Sequence, residues 1–196
     1  QVEMGDPDEG RGRDLARFFR GALHAIPDLV EANDPTDQAV VDAASSLEGF
    51  ELPQRGRLVY QVGFSRSSGY RALEYEREAR HRIYVTGRPE FLVDRSDSQQ
   101  AGEDTEPWPG EARRQFQGQI QDLAAQGKRV TAYAYKNSRL QDGELQDLVF
   151  LGVAAIHDPI RPEVGEAVDR LSQAGLRVLM ITGDIPQTAA YVAREV

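Results

Sequence analysis

The sequence predicts an α/β (α+β) fold, in which an antiparallel sheet with helices is followed by a partial Rossmann-like parallel α/β unit. Between residues 57 and 85, apolar and polar side chains alternate with a period of two, which is typical of strands with one covered face. From residue 148 onward, uninterrupted apolar stretches alternate with helical patterns, as in parallel sheets covered on both faces. We therefore expect two domains, residues 1–146 and a partial second domain at 147–196.

The composition narrows the class of function. The 196 residues carry a formal net charge of −9, so nucleic acid and anionic membrane surfaces would repel the chain at long range. The absence of cysteine excludes disulfides and thiolate metal sites. No apolar run approaches the roughly 18 residues that a membrane span requires. The three histidines are isolated in the sequence, so none is expected to be a metal ligand: His24, His81 and His157.

Two helices are predicted near the start of the chain. Apolar residues recur at helical spacing between Leu15 and Ile26. A second helix is expected to begin at Asp34-Pro35, because aspartate caps helix N-termini and proline suits the first helical position. Asp37 stands where the partner residue of a capping box belongs.

The middle of the chain predicts an antiparallel meander and then a helix and a further strand. A turn is expected at Ser67-Ser68-Gly69, and an acidic loop, with Trp108 covering the surface, at residues 96–110. The predicted strands and helix are residues 57–64, 71–76 and 81–85, the helix at 111–126 and the strand at 129–135.

The last fifty residues predict a strand–helix–strand–helix unit. Residues 148–156 and 177–181 are the two buried strands, and helices begin at Pro162 and Pro186. The motifs at residues 157–162 and 182–184 follow the two strands, at the edge where open α/β sheets bind ligands. A threonine hydroxyl and backbone N–H groups at a helix start are suited to a phosphoryl group.

These motifs carry a resemblance to a known family. The stretch from Leu148 to Val196, with HDPIRP followed by AGLRVLMITGD, resembles the central phosphorylation-domain segment of P-type ion-pumping ATPases. Earlier elements fit in order: NDPTD at 33–37 resembles the family's GDPTE, FSR at 64–66 its adenine-stacking strand end, and TGRPE at 86–90 its KGAPE. The resemblance covers about residues 28–196 and is closer to the calcium, sodium–potassium and magnesium pumps than to the heavy-metal branch.

The resemblance implies a role for each matched residue. The ring of Phe64 would stack on adenine, Arg66 and Arg129 would reach phosphate oxygens, and Thr36 and Asp37 would contact the purine or ribose edge. Thr182 would bind the transferred phosphoryl group. The remaining implied contacts to nucleotide, phosphoryl group or magnesium surroundings are Thr86, Gly87, Asp158, Arg161, Gly183 and Asp184.

The resemblance also implies cofactors, partners and location. ATP and Mg²⁺ would serve the full-length protein, and the remaining phosphorylation, actuator and transmembrane domains would belong to the same polypeptide. The chain would then be a cytosolic piece of an integral membrane protein, cut from a longer sequence at both ends. A truncated parallel sheet leaves unpaired edges, so we expect the last 50 or so residues to self-associate or rearrange.

The sequence departs from the family pattern at several positions. Thr86 replaces a lysine, Gly69 falls where several relatives carry another lysine, and Ile185 replaces the asparagine that follows TGD. The DKTGT segment with the nucleophilic aspartate, and the GDGxND segment, are absent from these 196 residues. The fragment is therefore expected to bind nucleotide without hydrolysing it by the family's route.

Simpler interpretations remain open for each residue. Phe64 would otherwise be a core residue, Asp34 and Asp37 helix-capping residues, Arg129 a solvated side chain and Gly87 a turn glycine. The whole chain would also fit a binding or scaffold module with a decayed nucleotide site. A third alternative is a phosphatase of the haloacid-dehalogenase type, for which Asp94 and Asp97 have the nearest spacing but lie in a polar stretch.

Overall fold

The computed structural model describes residues 9–29, 34–140, 145–157, 160–182 and 186–196. Its helices are α1 (Glu9–His24), α2 (Pro35–Ser45), α3 (Pro89–Arg95), α4 (Gly110–Ala125), α5 (Pro162–Gln173) and α6 (Pro186–Glu195). Its strands are β1 (Arg57–Val62), β2 (Tyr70–Arg77), β3 (Arg80–Gly87), β4 (Ser96–Ala101), β5 (Asp104–Pro107), β6 (Arg129–Lys136) and β7 (Leu148–Ile156). None of the helices described is long and apolar enough to cross a lipid bilayer.

The strands form one seven-stranded sheet in the order β1-β2-β3-β6-β7-β4-β5. The predicted meander is confirmed, since β1, β2 and β3 pair antiparallel in sequence order. The β4–β7 pair is parallel, whereas the other pairs are antiparallel. The mixed α/β class is therefore confirmed, with a sheet that is mainly antiparallel.

Helices cover both faces of the sheet. Alternate residues of each inner strand point to opposite faces, so each strand contributes apolar side chains to both sides. On β6, Tyr133 and Tyr135 join the apolar cluster beneath α1 and α2. Ala132 and Ala134 face the other way and join the cluster that includes Ile120 of α4. The predicted helices α1, α2 and α4 and the predicted strand at 129–135 are thus confirmed as layers of this core.

The pairing of strand β7 contradicts one prediction from the sequence. Residues 148–156 were expected to open a separate parallel unit, but β7 pairs antiparallel with β6 and parallel with β4 inside the same sheet. A bulge at Gly152 (φ 141°) lets Phe18 of α1 approach to 3.0 Å of the position that a Cβ would take. A domain division near residue 146 stays a prediction, but β6 and β7 are hydrogen-bonded across that point.

The prediction of a second parallel strand is also wrong. Residues 177–181 form no strand, and their apolar side chains lie in solvent, with Leu179 70% and Ile181 96% exposed. Helices α5 and α6 are present as predicted, but α5 buries none of its residues. The Rossmann-like unit is therefore not formed in the described residues, because no described strand pairs with 177–181.

The predicted acidic loop at residues 96–110 is instead the β4–β5 hairpin. Its residues are polar on both faces, so the sequence shows no apolar alternation there. Trp108 is not a surface residue: it is 4% exposed and stacks on Phe150 with ring centroids 4.5 Å apart. The indole thus fixes the end of the hairpin on the α4 side of the core.

Candidate functional site

A cleft of about 200 Å³ lies where β2 begins and β3 ends. Four separate segments form it: the N-terminus of α2, the residues after β1, the paired ends of β2 and β3, and the start of β6. The lining residues are Asp34, Thr36, Asp37, Phe64, Arg71, Thr86, Gly87, Arg88, Arg129, Val130 and Thr131. The fold therefore brings together six of the residues singled out from the sequence: Thr36, Asp37, Phe64, Thr86, Gly87 and Arg129.

The aromatic wall of the cleft is Phe64, two residues beyond β1. Its side chain is 59% exposed, so the interpretation of Phe64 as a core residue is wrong. Exposing a phenyl ring costs hydrophobic free energy, and a ring that borders a cleft offers its face to a planar ligand.

Asp34 caps helix α2 at the polar wall, as the sequence predicted. Its carboxylate accepts N–H bonds from Thr36 at 2.7 Å and from Asp37 at 3.4 Å. Partial burial opposes ionisation, but these hydrogen bonds and the positive charge of Arg129 outweigh it and lower the pKa of Asp34. Arg129 lines the same cleft as this helix N-terminus.

Asp37 has a different partner from the one predicted. Its carboxylate oxygens accept bonds from Nη1 and Nη2 of Arg71 at 2.9 and 2.8 Å, so no capping box forms. Arg71 also donates from Nε to the Ala25 carbonyl at 2.9 Å. The guanidinium is thereby fixed at the floor of the cleft.

Arg71 is a residue of the site that sequence reasoning missed. In the antiparallel register, Arg71 stands opposite Thr86 of β3, and Thr86 stands opposite Tyr133 of β6. The predicted meander could have pointed to Arg71, because pairing its strands places Arg71 beside Thr86, a residue that the family resemblance had singled out. That inference required the register, which the alternation of side chains alone did not supply.

Two buried hydroxyl groups have no hydrogen-bond partner among the described residues: that of Thr86, which lines the cleft, and that of Tyr133, which stands opposite Thr86 on β6. The two groups are neighbours, but their geometry falls short of a hydrogen bond. Burial, with the negative charge of Asp37 adding to it, raises the pKa of Tyr133 strongly, so the phenol stays protonated. An unpartnered buried hydroxyl is costly, and Thr86 borders the cleft from which a ligand would approach.

Glycines allow the chain segments at the rim to approach closely. A Cβ on Gly87 would lie 2.5 Å from the Gly69 carbonyl oxygen and 2.8 Å from Cα of Tyr70. Gly69 has a φ of +73°, and the Arg88 guanidinium fills the space that its side chain would need. Gly87 thus serves strand approach rather than a turn, and Gly69 admits Arg88, a second lining cation that the sequence reasoning missed.

Other predicted residues lie elsewhere. Arg66 is exposed in the turn after Phe64, and neither Arg161 nor Thr182 lines the cleft; both are exposed. Asp158, Gly183 and Asp184 fall outside the described residues. Within the described residues no group of three or more His, Asp or Glu side chains is placed to hold a metal ion.

The fold and the cleft define an α/β domain with a cleft at one end of its central strands. Its cleft combines an exposed ring, a helix N-terminus and three guanidinium groups, those of Arg71, Arg88 and Arg129. This set suits a ligand with a planar ring and an anionic group.

Comparison with known proteins identifies the family. The family model described as "P-type ATPase, cytoplasmic domain N" matches residues 28–163. The chain therefore belongs to the P-type ATPase cytoplasmic domain N family. It is 29% identical over 172 residues to a calcium-transporting ATPase of Bacillus subtilis, covering 83% of this chain and 19% of that protein.

Two further relatives agree. The chain is 32% identical over 181 residues to the cation-transporting ATPase pma1 of Synechocystis, covering 87% of this chain and 19% of the relative. It is 25% identical over 198 residues to the sodium/potassium-transporting ATPase subunit alpha of Tetronarce californica, with coverages of 91% and 19%. The chain thus spans about a fifth of the length of these relatives.

Proposed function

We propose that this chain is the nucleotide-binding part of a P-type cation-transporting ATPase and that it binds ATP in the cleft. One observation carries the proposal: Phe64 and Arg129, 65 positions apart in the sequence, border the same cleft as the N-terminus of α2. Family membership supports the same ligand, because the curated relatives carry ATPase in their names.

The proposed pose follows from the chemistry of the lining. Adenine stacks on the ring of Phe64, and the phosphates extend toward Arg129 and Arg88. The hydroxyls of Thr36 and Thr86 supply hydrogen bonds to the base or ribose. The Asp37 carboxylate, held by Arg71, keeps lone pairs that can accept from an amino group.

The remaining predicted residues complete the proposal. Arg66 follows Phe64 in an exposed turn, from which its long side chain reaches outward to phosphate oxygens. Thr182, Gly183 and Asp184, with Asp158 and Arg161, are proposed to contact the phosphoryl end when the phosphorylation domain is complete. Mg²⁺ would arrive with the nucleotide, since the described residues hold no carboxylate cluster for it.

The full-length protein is proposed to couple ATP hydrolysis, through an aspartyl-phosphate, to cation transport, with this chain at the cytosolic side. The segment that carries the nucleophilic aspartate in the family is not among the 196 residues. The chain by itself is therefore proposed to bind ATP without hydrolysing it by that route.

Titration calorimetry with ATP tests the cleft. Phe64→Ala should weaken binding by about 1–3 kcal/mol through loss of base stacking. Arg129→Ala should weaken it by about 1.5–3 kcal/mol through loss of a charge-assisted hydrogen bond. Tyr60→Ala and Arg114→Ala are matched controls, because both side chains are exposed and lie outside the cleft. Equal affinity in all five proteins would contradict the proposed pocket.

A second candidate is a binding or scaffold module with a decayed nucleotide site. It is favoured by Thr86, whose hydroxyl is unpartnered at the position where the family carries lysine, and by the engagement of Asp37 with Arg71. Under this alternative the wild type shows no ATP binding, and Thr86→Lys creates measurable affinity. Binding by the wild type would exclude it.

A further inference from the structure

A second cavity, larger than the cleft, is formed by the described residues. It measures about 870 Å³ and lies at the opposite end of β2 and β3, between the C-terminal end of α1, residues 51–56 and the β2–β3 turn. We call it the basic basin and define it by Arg20, His24, Tyr75, Arg77, Arg80, Arg82 and Tyr84. From Arg71 in the cleft to Arg77 in the basin, β2 runs six residues, or about 20 Å.

The charge of the basin is opposite to that of the chain. Four arginines line it against two carboxylates, Glu51 and Glu78, whereas the whole chain carries −9. The side chains of Arg20, Arg77 and Arg80 form no ion pair or hydrogen bond with any other residue in the described part of the chain. The four positive charges exceed the two negative ones and repel one another, so an anion that entered would relieve this repulsion.

One of the four guanidinium groups is held in place. Arg82 donates from Nε to Oδ1 of Asn137 at 2.6 Å and lies 4.7 Å from the centroid of the Tyr135 ring. This arrangement limits the rotamers of Arg82 before any ligand binds, which reduces the entropy cost of binding.

The floor of the basin is aromatic and carries free polar atoms. Tyr75 and Tyr84 are 6% and 8% exposed, and neither hydroxyl bonds to another group in the described ranges. His24 stacks on Tyr84 at 4.4 Å and donates from Nδ1 to the Arg20 carbonyl at 2.6 Å. Burial outweighs the backbone hydrogen bonds to Arg20 and Gln54 and, with the charges of Arg55 and Arg82 adding to it, lowers the pKa of His24, so the imidazole is neutral.

We propose that the basic basin is a second ligand site and that it binds a small molecule bearing two or more phosphate groups. Guanidinium forks match phosphate oxygens in geometry as well as charge, and the tyrosine hydroxyls add donors at the floor. A cavity of this size falls within the range of small-molecule sites. A peptide added as an extra strand is disfavoured, because β2 and β3 are inner strands with both edges paired.

Titration calorimetry with inorganic pyrophosphate tests the basin. Arg77→Gln/Arg80→Gln should weaken binding about tenfold or more, since charge-assisted hydrogen bonds to phosphate are lost. Both residues lie at the exposed β2–β3 turn, where substitution leaves the core intact. The control Arg114→Gln/Arg177→Gln removes the same charge from exposed positions outside both cavities. Equal weakening in the control, or unchanged binding in Arg77→Gln/Arg80→Gln, would overturn the proposal.

Three further measurements identify the site and the class of ligand. Tyr84→Phe keeps the ring and removes a hydroxyl that donates at the floor, so it should weaken pyrophosphate binding. Arg77→Gln/Arg80→Gln should leave the affinity of the proposed cleft for ATP unchanged, which separates the basin from that cleft. Loss of pyrophosphate binding in Arg129→Ala would assign it to the cleft instead, and tighter binding of a hexaglutamate peptide than of pyrophosphate would overturn the small-molecule class.

Discussion

Strand β7 in the sheet and residues 176–181 near the C-terminus contain similar apolar runs, but only the run in β7 is buried. In β7, Leu148 is 0% and Phe150 4% exposed, because β6 and β4 pair with the strand and helices cover both faces. In residues 176–181, Leu179 is 70% and Ile181 96% exposed. An apolar run therefore becomes a buried strand only where neighbours complete its hydrogen bonds and cover its side chains.

The largest expected difference between the two regions is in how much the removal of a leucine side chain lowers the free energy of unfolding. Leu148→Ala should lower the free energy of unfolding by about 2–5 kcal/mol, since it leaves a cavity in a packed core. Leu179→Ala should change it by no more than about 0.5 kcal/mol, because the side chain already lies in solvent. Urea unfolding followed by circular dichroism measures both. Comparable losses would show that residues 176–181 are covered in solution, for instance by the self-association that the sequence predicts.

A second matched pair compares ion pairs in the two regions. The side chains of Arg71 and Asp37 are 15% and 10% exposed, whereas those of Arg170 and Glu166 in α5 are 80% and 76% exposed. Arg71→Met should cost about 3 kcal/mol, because the Asp37 carboxylate is left buried and unpaired. Arg170→Met should cost at most about 0.5 kcal/mol.

A double substitution checks the reason for that cost. Arg71→Met combined with Asp37→Asn should recover part of the stability lost in Arg71→Met, since no unpaired charge remains. Urea unfolding of the single and double variants gives the coupling energy. A double variant less stable than the sum of the two single effects would rule out the unpaired carboxylate as the cause.

The smallest expected effect concerns the helix caps. Asp34 caps α2, whereas Arg161 at the start of α5 makes no side-chain cap. Asp34→Ala should cost about 1 kcal/mol at neutral pH, and Arg161→Ala close to nothing.

The pH dependence of the Asp34 effect has a definite sign. The pKa of Asp34 is lowered in the folded state, so its stabilising contribution is complete above the ordinary aspartate pKa and is lost as the pH falls through the lowered value. The difference in unfolding free energy between wild type and Asp34→Ala should therefore shrink on acidification. A constant difference across that range would show that the ionised carboxylate is not what caps the helix.

Side-chain direction explains much of what the sequence could not predict about the cleft. Phe64 shares the alternation of the residues before it and thus resembles a core residue, yet it follows the end of β1 and points into the cleft. Arg71 belonged to no motif and Arg88, although part of TGRPE, was assigned no role; the two reach the cleft because of strand register and the space above Gly69. These features depend on contacts between residues distant in sequence.

The β4–β5 hairpin and Trp108 show the same limitation in the fold. A strand that is polar on both faces carries no periodic signal, so only its hydrogen bonds to β7 identify β4. Trp108 is buried because Phe150, 42 positions later, supplies a stacking partner. Neither feature was visible in local sequence.

By itself the sequence determined the helices other than α3, the meander of β1 to β3 and the cap at Asp34. These features depend on periodicity and on hydrogen bonds between residues close in the chain, which residue type largely specifies. The tertiary structure alone decided the partners of β7, the pairing of Asp37 with Arg71 and the exposure of Ile181. Strand pairing and burial are long-range interactions, so an apolar or charged residue acquires its role only from the segments that the fold places beside it.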